Sequence, residues 1–338
     1  MKRRESGFTL IELMIAVTLG LLVLAALTSF FVRTSYNRSE LERNSRQIEN
    51  GRYAINAIRD DMMLAGFYAD IVQSAAVWQT PDACQSLIAN MGWAANALNP
   101  SLPVPIFIYP QGVGRPAGCT PNWLAGTDVI VIRRFNSEAL APGSAVGNIP
   151  YVQVSQCATD VAPATPFVFS NGATGPWTAR LRDCSTRANL WRYREQVYYV
   201  RDYSVTVGDG IPTLVRMELD VDSGGAMTMN PVPLVEGIEN LRMDIGVDND
   251  VDGLPDVWKR CTAAVPCTVT ELSNVMAAKV YVVSRNLEET REYTDDKTYD
   301  LGQSGTVGPA NDHYKRHVYS ALITLPNRVG PREPVLAS

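Results

Sequence analysis

The 338-residue sequence predicts an α+β fold. A long N-terminal helix, apolar and then amphipathic, packs on antiparallel β-sheet that carries a Pro/Gly-rich, disulfide-containing insertion. Three observations lead there. An apolar run from Phe8 to Val32 continues into heptad-spaced apolar residues, both helical signatures. Runs rich in Val, Ile and Tyr, bounded by Gly, Pro and Asp, recur beyond residue 100 in the manner of strands. Eleven of the 21 prolines fall between 100 and 176, which disfavours long helices there, and all six cysteines follow the apolar run.

The apolar run is FTLIELMIAVTLGLLVLAALTSFFV, and Glu12 is its only charge. At about 1.5 Å per residue it spans a bilayer core as a helix. Lys2, Arg3 and Arg4 precede it, so the N-terminus is expected to stay cytoplasmic and the remainder to be exported. A secretory signal places its small-residue cleavage site after the apolar core. Here the small residue, Gly7, comes before it, and a cut there keeps the helix on the mature chain. A carboxylate inside a membrane helix costs on the order of 2.5–3.5 kcal/mol and calls for a partner. Cleavage after Gly7 supplies one, the new α-amine of Phe8, about a turn away in the same or an adjacent chain. The alternative is a Glu12 that snorkels to the interface, and spacing admits both.

Residues 33–66 read as an amphipathic continuation of the helix. Leu41, Ile48, Ile55 and Met62 recur every seven residues, with Ile58 and Ala65 between them and Asn44 and Gly51 interrupting that second seam. The faces between carry five arginines against five carboxylates, a solvated surface. A continuous helix from Phe8 to Ala65 extends roughly 85–90 Å, with Gly66 as its stop.

Composition narrows the function classes. The chain is 46% hydrophobic and 19% charged, with net charge −5 and pI near 5.2. That balance argues against direct nucleic-acid binding through phosphate neutralisation. Cysteines 84, 119, 157, 184, 261 and 267 form no C-x-x-C pair. An even count beyond a membrane segment reads as disulfides in an oxidising compartment, against the alternative of six buried thiols. Six cysteines allow 15 pairings. Cys261 and Cys267 enclose the short loop CTAAVPC, and local closure favours Cys84 with Cys119 and Cys157 with Cys184.

Residues 67–338 are expected to form a β-rich globular domain, with the insertion at about 81–187. Strands are predicted at 104–109, 128–135, 151–155, 166–169, 191–204, 211–219, 274–285 and 317–325. The closing strand returns to the sheet. Trp191, Tyr193, Tyr198 and Tyr199 read as core on alternating strand faces rather than as a binding patch.

One stretch has metal-ligand spacing. In DNDVDGLPD, Asp248, Asp250 and Asp252 stand at positions 1, 3 and 5 of a calcium loop, Gly253 at the sharp turn, and Asp256 at position 9. Lys259 replaces the closing glutamate, so Asp244 or a residue distant in sequence must supply the further ligand. The competing reading is a solvated acidic turn. His313 and His317 have i, i+4 spacing but precede and enter a predicted strand, which separates them. No nucleophile elbow, P-loop or dinucleotide fingerprint occurs, and no enzymatic activity is expected.

The string Gly7-Phe8-Thr9-Leu10-Ile11-Glu12-Leu13 after a short basic leader resembles the type IV prepilin signal. The resemblance implies a leader, residues 1–7, removed by prepilin peptidase between Gly7 and Phe8, N-methylation of Phe8, and a role for Glu12 in incorporation beside another subunit. Major pilins of this family usually carry a helix-kinking proline late in the apolar segment; this chain has Thr28 and Ser29 there. QIENGRYAINAIRDDMMLAGFYAD (47–70) and the ending RHVYSALITLPNR resemble the PilW group of minor pilins. That implies a membrane-stored subunit that joins other minor pilins, the major pilin and a tip adhesin at the pilus tip, supporting motility, adhesion and DNA uptake. A type II secretion pseudopilin shares the leader and helix. A ligand-binding adhesin on a pilin stalk is a reading from another class.

Overall fold

The computed structural model describes residue 7 and residues 9–96, 98–116, 118–161, 166–173 and 175–329. Its internal contacts divide the chain into two units, one up to Arg46 and one from Gln47. Helix α1, Leu10–Met63, is the one element with residues in both.

In the first unit α1 buries no side chain, and the large apolar residues from Leu10 to Val32 are all exposed. The helix is long and apolar enough to cross a membrane. Two of its hydroxyls are satisfied within the helix: Thr18 donates to the carbonyls of Met14 and Ile15, and Thr28 to that of Leu24. This is how a spanning helix hides polar groups from lipid. Arg38–Glu42 and Arg43–Glu40 pair along the polar stretch that follows.

In the second unit the buried positions of α1 are Gln47, Gly51, Ala54, Ile55, Ile58, Asp61 and Met62. Their spacing is that of an ordinary 3.6-residue stripe. The expected heptad seam fails in its first half: Leu41 is 70% exposed and Ile48 43% exposed. A strict seven-residue repeat drifts round a straight helix by about 20° per heptad, so the sequence seam and the packed face part company. Met63 closes the helix, and Gly66, at φ 74°, turns the chain away.

Beyond the helix come β1 Val77–Gln79, β2 Ser101–Pro103, β3 Ile106–Tyr109, β4 Val129–Phe135, β5 Pro150–Val154, β6 Phe167–Asn171, β7 Leu190–Arg201, β8 Thr213–Val221 and β9 Met227–Glu236. β1 and β2 pair as a small parallel ribbon, and the other seven form one sheet. β7 is its spine. Tyr193–Tyr198 pair with β4 on one edge. On the other edge Leu190–Arg192 pair with β5 and Gln196–Arg201 with β8. The segment 81–187 therefore does more than decorate the sheet, because β3 to β6 belong to it.

The second sheet uses β10 Ile238–Val247, β11 Val257–Lys259, β12 Val275–Arg285 and β15 Arg316–Thr324, in the order β11-β10-β12-β15 and wholly antiparallel. Between the last two lie β13 Tyr299–Asp300 and β14 Thr306–Val307, a minimal hairpin. The main core gathers Ala54, Ile58 and Met62 of α1 with Ile130 and Ile132 of β4, Leu241 and Met243 of β10, and Val280 of β12. A second cluster packs Tyr68, Trp93, Phe135, Phe167 and Tyr193, with Trp93 stacked on Phe169. Tyr193, Tyr198 and Tyr199 are buried in these cores. The architecture is α+β: a long N-terminal helix on antiparallel sheet.

Besides the short strands β1, β2, β11, β13 and β14, two long strands were not legible in the sequence, β9 and β10. β9 contains Pro231 and Pro233, which a central strand cannot carry, but it is an outer strand paired with β8 alone. β10 buries Arg242 and Asp244, polar residues that read as surface. Arg242 donates to Gln111 and lies beside Asp128, while Asp244 accepts from the Gln303 amide and the Ser304 hydroxyl. Paired in this way, both can be buried.

Candidate functional site

The helix start is the first candidate. Gly7 is exposed, and Phe8 lies outside the described residues. Glu12 turns back on Thr9. The Thr9 amide donates to Glu12 Oε2 at 2.9 Å and the Thr9 hydroxyl donates to the same oxygen at 2.8 Å. The Glu12 amide returns a bond to Thr9 Oγ1 at 3.4 Å. This is a capping box, which satisfies amides that a helix start leaves without partners. The signal was present as T-x-x-E, and Thr9 is the residue the sequence reading missed. Both bonds fall on Oε2. Oε1 accepts no hydrogen bond among the described residues, and a carboxylate has room for further donors.

The acidic loop is the second. One oxygen each of Asp248, Asp250 and Asp256 lies within 4.8 Å of the others. Asp248 is fully buried and Asp250 and Asp256 are exposed. Backbone amides hold the carboxylates in place. Val251 and Gly253 donate to Asp248 at 2.7 and 3.0 Å, and Asn249 donates to Asp256 at 2.7 Å. Val251 is left-handed at φ 67° and Gly253 at φ 90°, so the loop coils tightly around Asp248. Loss of solvent, and then the charges of Asp252, Asp256 and Asp248, raise the Asp250 carboxyl above its ordinary range. Asp252 stands outside the converging group and accepts from the Leu254 amide. Asp244 is engaged at Gln303 and Ser304, and Lys259 pairs with Glu271 at 2.6 Å. His313 Nδ1 contacts the Tyr293 carbonyl oxygen, and the His317 ring lies edge-on to Tyr319.

The cysteines pair as Cys84–Cys119, Cys157–Cys184 and Cys261–Cys267. The first bridge is tied into the large sheet. The Cys84 amide donates to Glu195 Oε1 at 2.7 Å, and Arg133 donates to Glu195 Oε2 at 2.8 Å and to the Pro81 carbonyl at 2.8 Å. Arg133 is fully buried; the nearby Glu195 charge raises its pKa against the opposing cost of desolvation. This ion pair holds the 81–84 loop where the disulfide closes.

Two family models match parts of the chain. Residues 2–28 match the prokaryotic N-terminal methylation motif, and residues 197–327 match the family model of type IV pilus-assembly protein W. No curated protein matches the chain. A solved type IV-like pilin from Thermus thermophilus is 12% identical over 85% of this chain and 99% of its own, at a TM-score of 0.33. The first match covers the basic leader and the start of the apolar helix. The second runs from within β7 through β15. With the methylation motif at one end and the assembly-protein match toward the other, the chain is similar at its start to methylated prepilins and over residues 197–327 to type IV pilus-assembly protein W.

Proposed function

We propose that the chain is a minor pilin that primes or caps type IV pilus assembly together with other minor pilins, the major pilin and a tip adhesin, and so supports twitching motility, adhesion and DNA uptake. One observation carries the reading. An apolar helix that opens on the methylation motif belongs to the same chain as a large two-sheet unit that contains the PilW match. The mechanism is assembly. Prepilin peptidase cuts between Gly7 and Phe8 and Phe8 is methylated. The helix stores the subunit in the inner membrane, with the second unit exported. Glu12 Oε1, which accepts no hydrogen bond among the described residues, receives the α-amine of a neighbouring subunit. That pairing offsets the cost of a carboxylate in lipid and sets the axial register of adjacent helices.

The test is intact-mass and N-terminal analysis of the membrane protein, in wild type and Glu12→Ala, beside a count of surface pili. A mature chain starting at methylated Phe8, with fewer pili in the variant although processing persists, supports the reading. An uncut Met1 or Lys2 start overturns it. Normal pili together with a defect in type II secretion assigns the chain to that system instead.

We propose also that the 248–256 loop takes calcium through Asp248, Asp250 and Asp256. What supports this is the convergence of three carboxylates on a tight loop of hard oxygen donors. Calorimetric titration of the full chain in detergent, wild type against Asp250→Asn, tests it. Binding that weakens at least about tenfold in the variant is expected, and no heat above a magnesium control overturns it.

A further inference from the structure

The second sheet ends on β15, and its outer edge is open among the described residues. The ladder with β12 shows which groups it leaves unused. It runs without a register shift from Arg316 to Thr324. Just beyond its ends, the Leu325 amide donates to the Met276 carbonyl and the Asn286 amide to the Lys315 carbonyl. Hydrogen-bonded pairs alternate along an antiparallel ladder, so His317, Tyr319, Ala321 and Ile323 bond to β12. Val318, Ser320, Leu322 and Thr324 then turn their N–H and C=O groups outward. Ser320, Leu322 and Thr324 are exposed, Leu322 at 62%.

Three other outer strands in the molecule are blunted, and β6, Phe167–Asn171, is only five residues long. β9 carries Pro231 and Pro233 and a register shift opposite Leu214 and Val215. β11 has three residues and β3 four. β15 has nine, with no proline, no bulge and no Lys, Arg, Asp or Glu from His317 to Thr324. An edge of this kind is a template for strand addition unless a sequence device prevents it.

The charge beside the edge selects the partner. β12 and β15 together carry Lys279, Arg285 and Arg316 and no carboxylate, in a chain of net charge −5. Arg285 and Arg316 are matched by Glu239. Lys279 is exposed, stands opposite Leu322, lies 5.3 Å from the Tyr281 ring, and makes no ion pair among the described residues.

We infer that the outer edge of β15 is a docking site for an extended, acidic segment of another protein, which joins the sheet as a fifth strand. Main-chain bonds to Val318, Ser320, Leu322 and Thr324 supply the attachment. Carboxylates on one face of the incoming strand meet Lys279. The inference goes beyond the assembly reading and stands or falls separately from it.

The test is residue-resolved hydrogen exchange on the full-length chain in detergent micelles. The probe is a synthetic peptide of alternating Glu and Val, with a Lys/Val peptide as control. In the chain alone, the amides of 318, 320, 322 and 324 are expected to exchange at least about tenfold faster than those of 317, 319, 321 and 323. The Glu/Val peptide slows those four amides and the Lys/Val peptide does not. Ser320→Pro removes an outward N–H and no donor of the β12 ladder, and abolishes the effect with a thermal midpoint close to that of the wild type. If that variant unfolds, Ser320→Glu retains the N–H and places a like charge against the peptide, which weakens protection. The inference is overturned if the four amides are already protected in the chain alone, whether by a second copy or by its own residues. Equal protection by both peptides, or protection that survives both substitutions, also overturns it.

Discussion

The ring of Tyr319 occupies the space that a Cβ on Gly51 would need: its Cε2 lies 2.1 Å from that position. Glycine here lets α1 and β15 approach closely. Gly51→Ala is therefore expected to destabilise the second unit, although it sits in a helix. Alanine gains about 1 kcal/mol in helix propensity, while forcing a packed aromatic ring aside costs typically 1–3 kcal/mol. Thermal unfolding of the chain in detergent should show a lower midpoint for Gly51→Ala. Adding Tyr319→Ala should cost less in that background than in the wild type, because the clash is then gone.

Asp61 fastens the last buried turn of α1 to the large sheet. It accepts from the Tyr198 hydroxyl, from Arg134 at 3.3 Å and from Arg216 at 3.2 Å. Asp61 is 8% exposed, and Tyr198 is buried with its phenol pushed well above the ordinary range, first by burial and then by the Asp61 charge. Removing one partner from such a cluster leaves the others uncompensated, which costs about 3–5 kcal/mol when fully buried. The arginines here are partly solvated, so Asp61→Ala is expected at the lower end, about 3 kcal/mol. A chemical denaturation midpoint unchanged from wild type would refute this.

The 202–211 loop is built around Asp209. Its carboxylate accepts from the amides of Ile211, Ser204, Val205 and Thr206, bonds led by Ile211 that lower its pKa to about 2. The folded value lies below the ordinary value near 3.9, so the contribution to stability is present above about pH 4 and is lost as pH falls toward 2. Asp209→Asn should flatten that part of the stability profile and leave the neutral-pH slope unchanged. Equal acid sensitivity in both proteins would place the acid response elsewhere.

The three disulfides close loops of different lengths, with sequence separations of 35, 27 and 6. On the chain-entropy account, removing Cys84–Cys119 or Cys157–Cys184 costs about 4 kcal/mol, and removing Cys261–Cys267 about 2 kcal/mol. Paired Cys→Ala variants compared by denaturant midpoint check the order. A larger loss from the short loop would show that native packing, not loop closure, dominates there.

Local signals that need no partner were readable in the sequence. The apolar run announced α1, and the β-branched runs announced β4, β7, β12 and β15. The calcium-like spacing brought three of its four aspartates together, while the Asp252 side chain went to the Leu254 amide instead. What escaped depended on distant neighbours. Arg242 and Asp244 can occupy a buried strand only because Gln111, Gln303 and Ser304 meet them. The packed face of α1 includes Gln47, which caps its own burial by donating to the carbonyls of Ser284 and Lys315. No periodicity rule marks a glutamine or a glycine as a core position.

β7 serves β4, β5 and β8 at once, so these strands cannot separate in turn without losing a common partner. The segment matching the assembly-protein family begins at Val197, inside this strand. A chain started there would keep Val197–Arg201, five of the twelve residues of β7, and would leave β8 beside a stub. The matched region is thus not a separable module. It shares one cooperative folding unit with the proline-rich stretch before it, and variation in that stretch is transmitted directly to the stability of the rest.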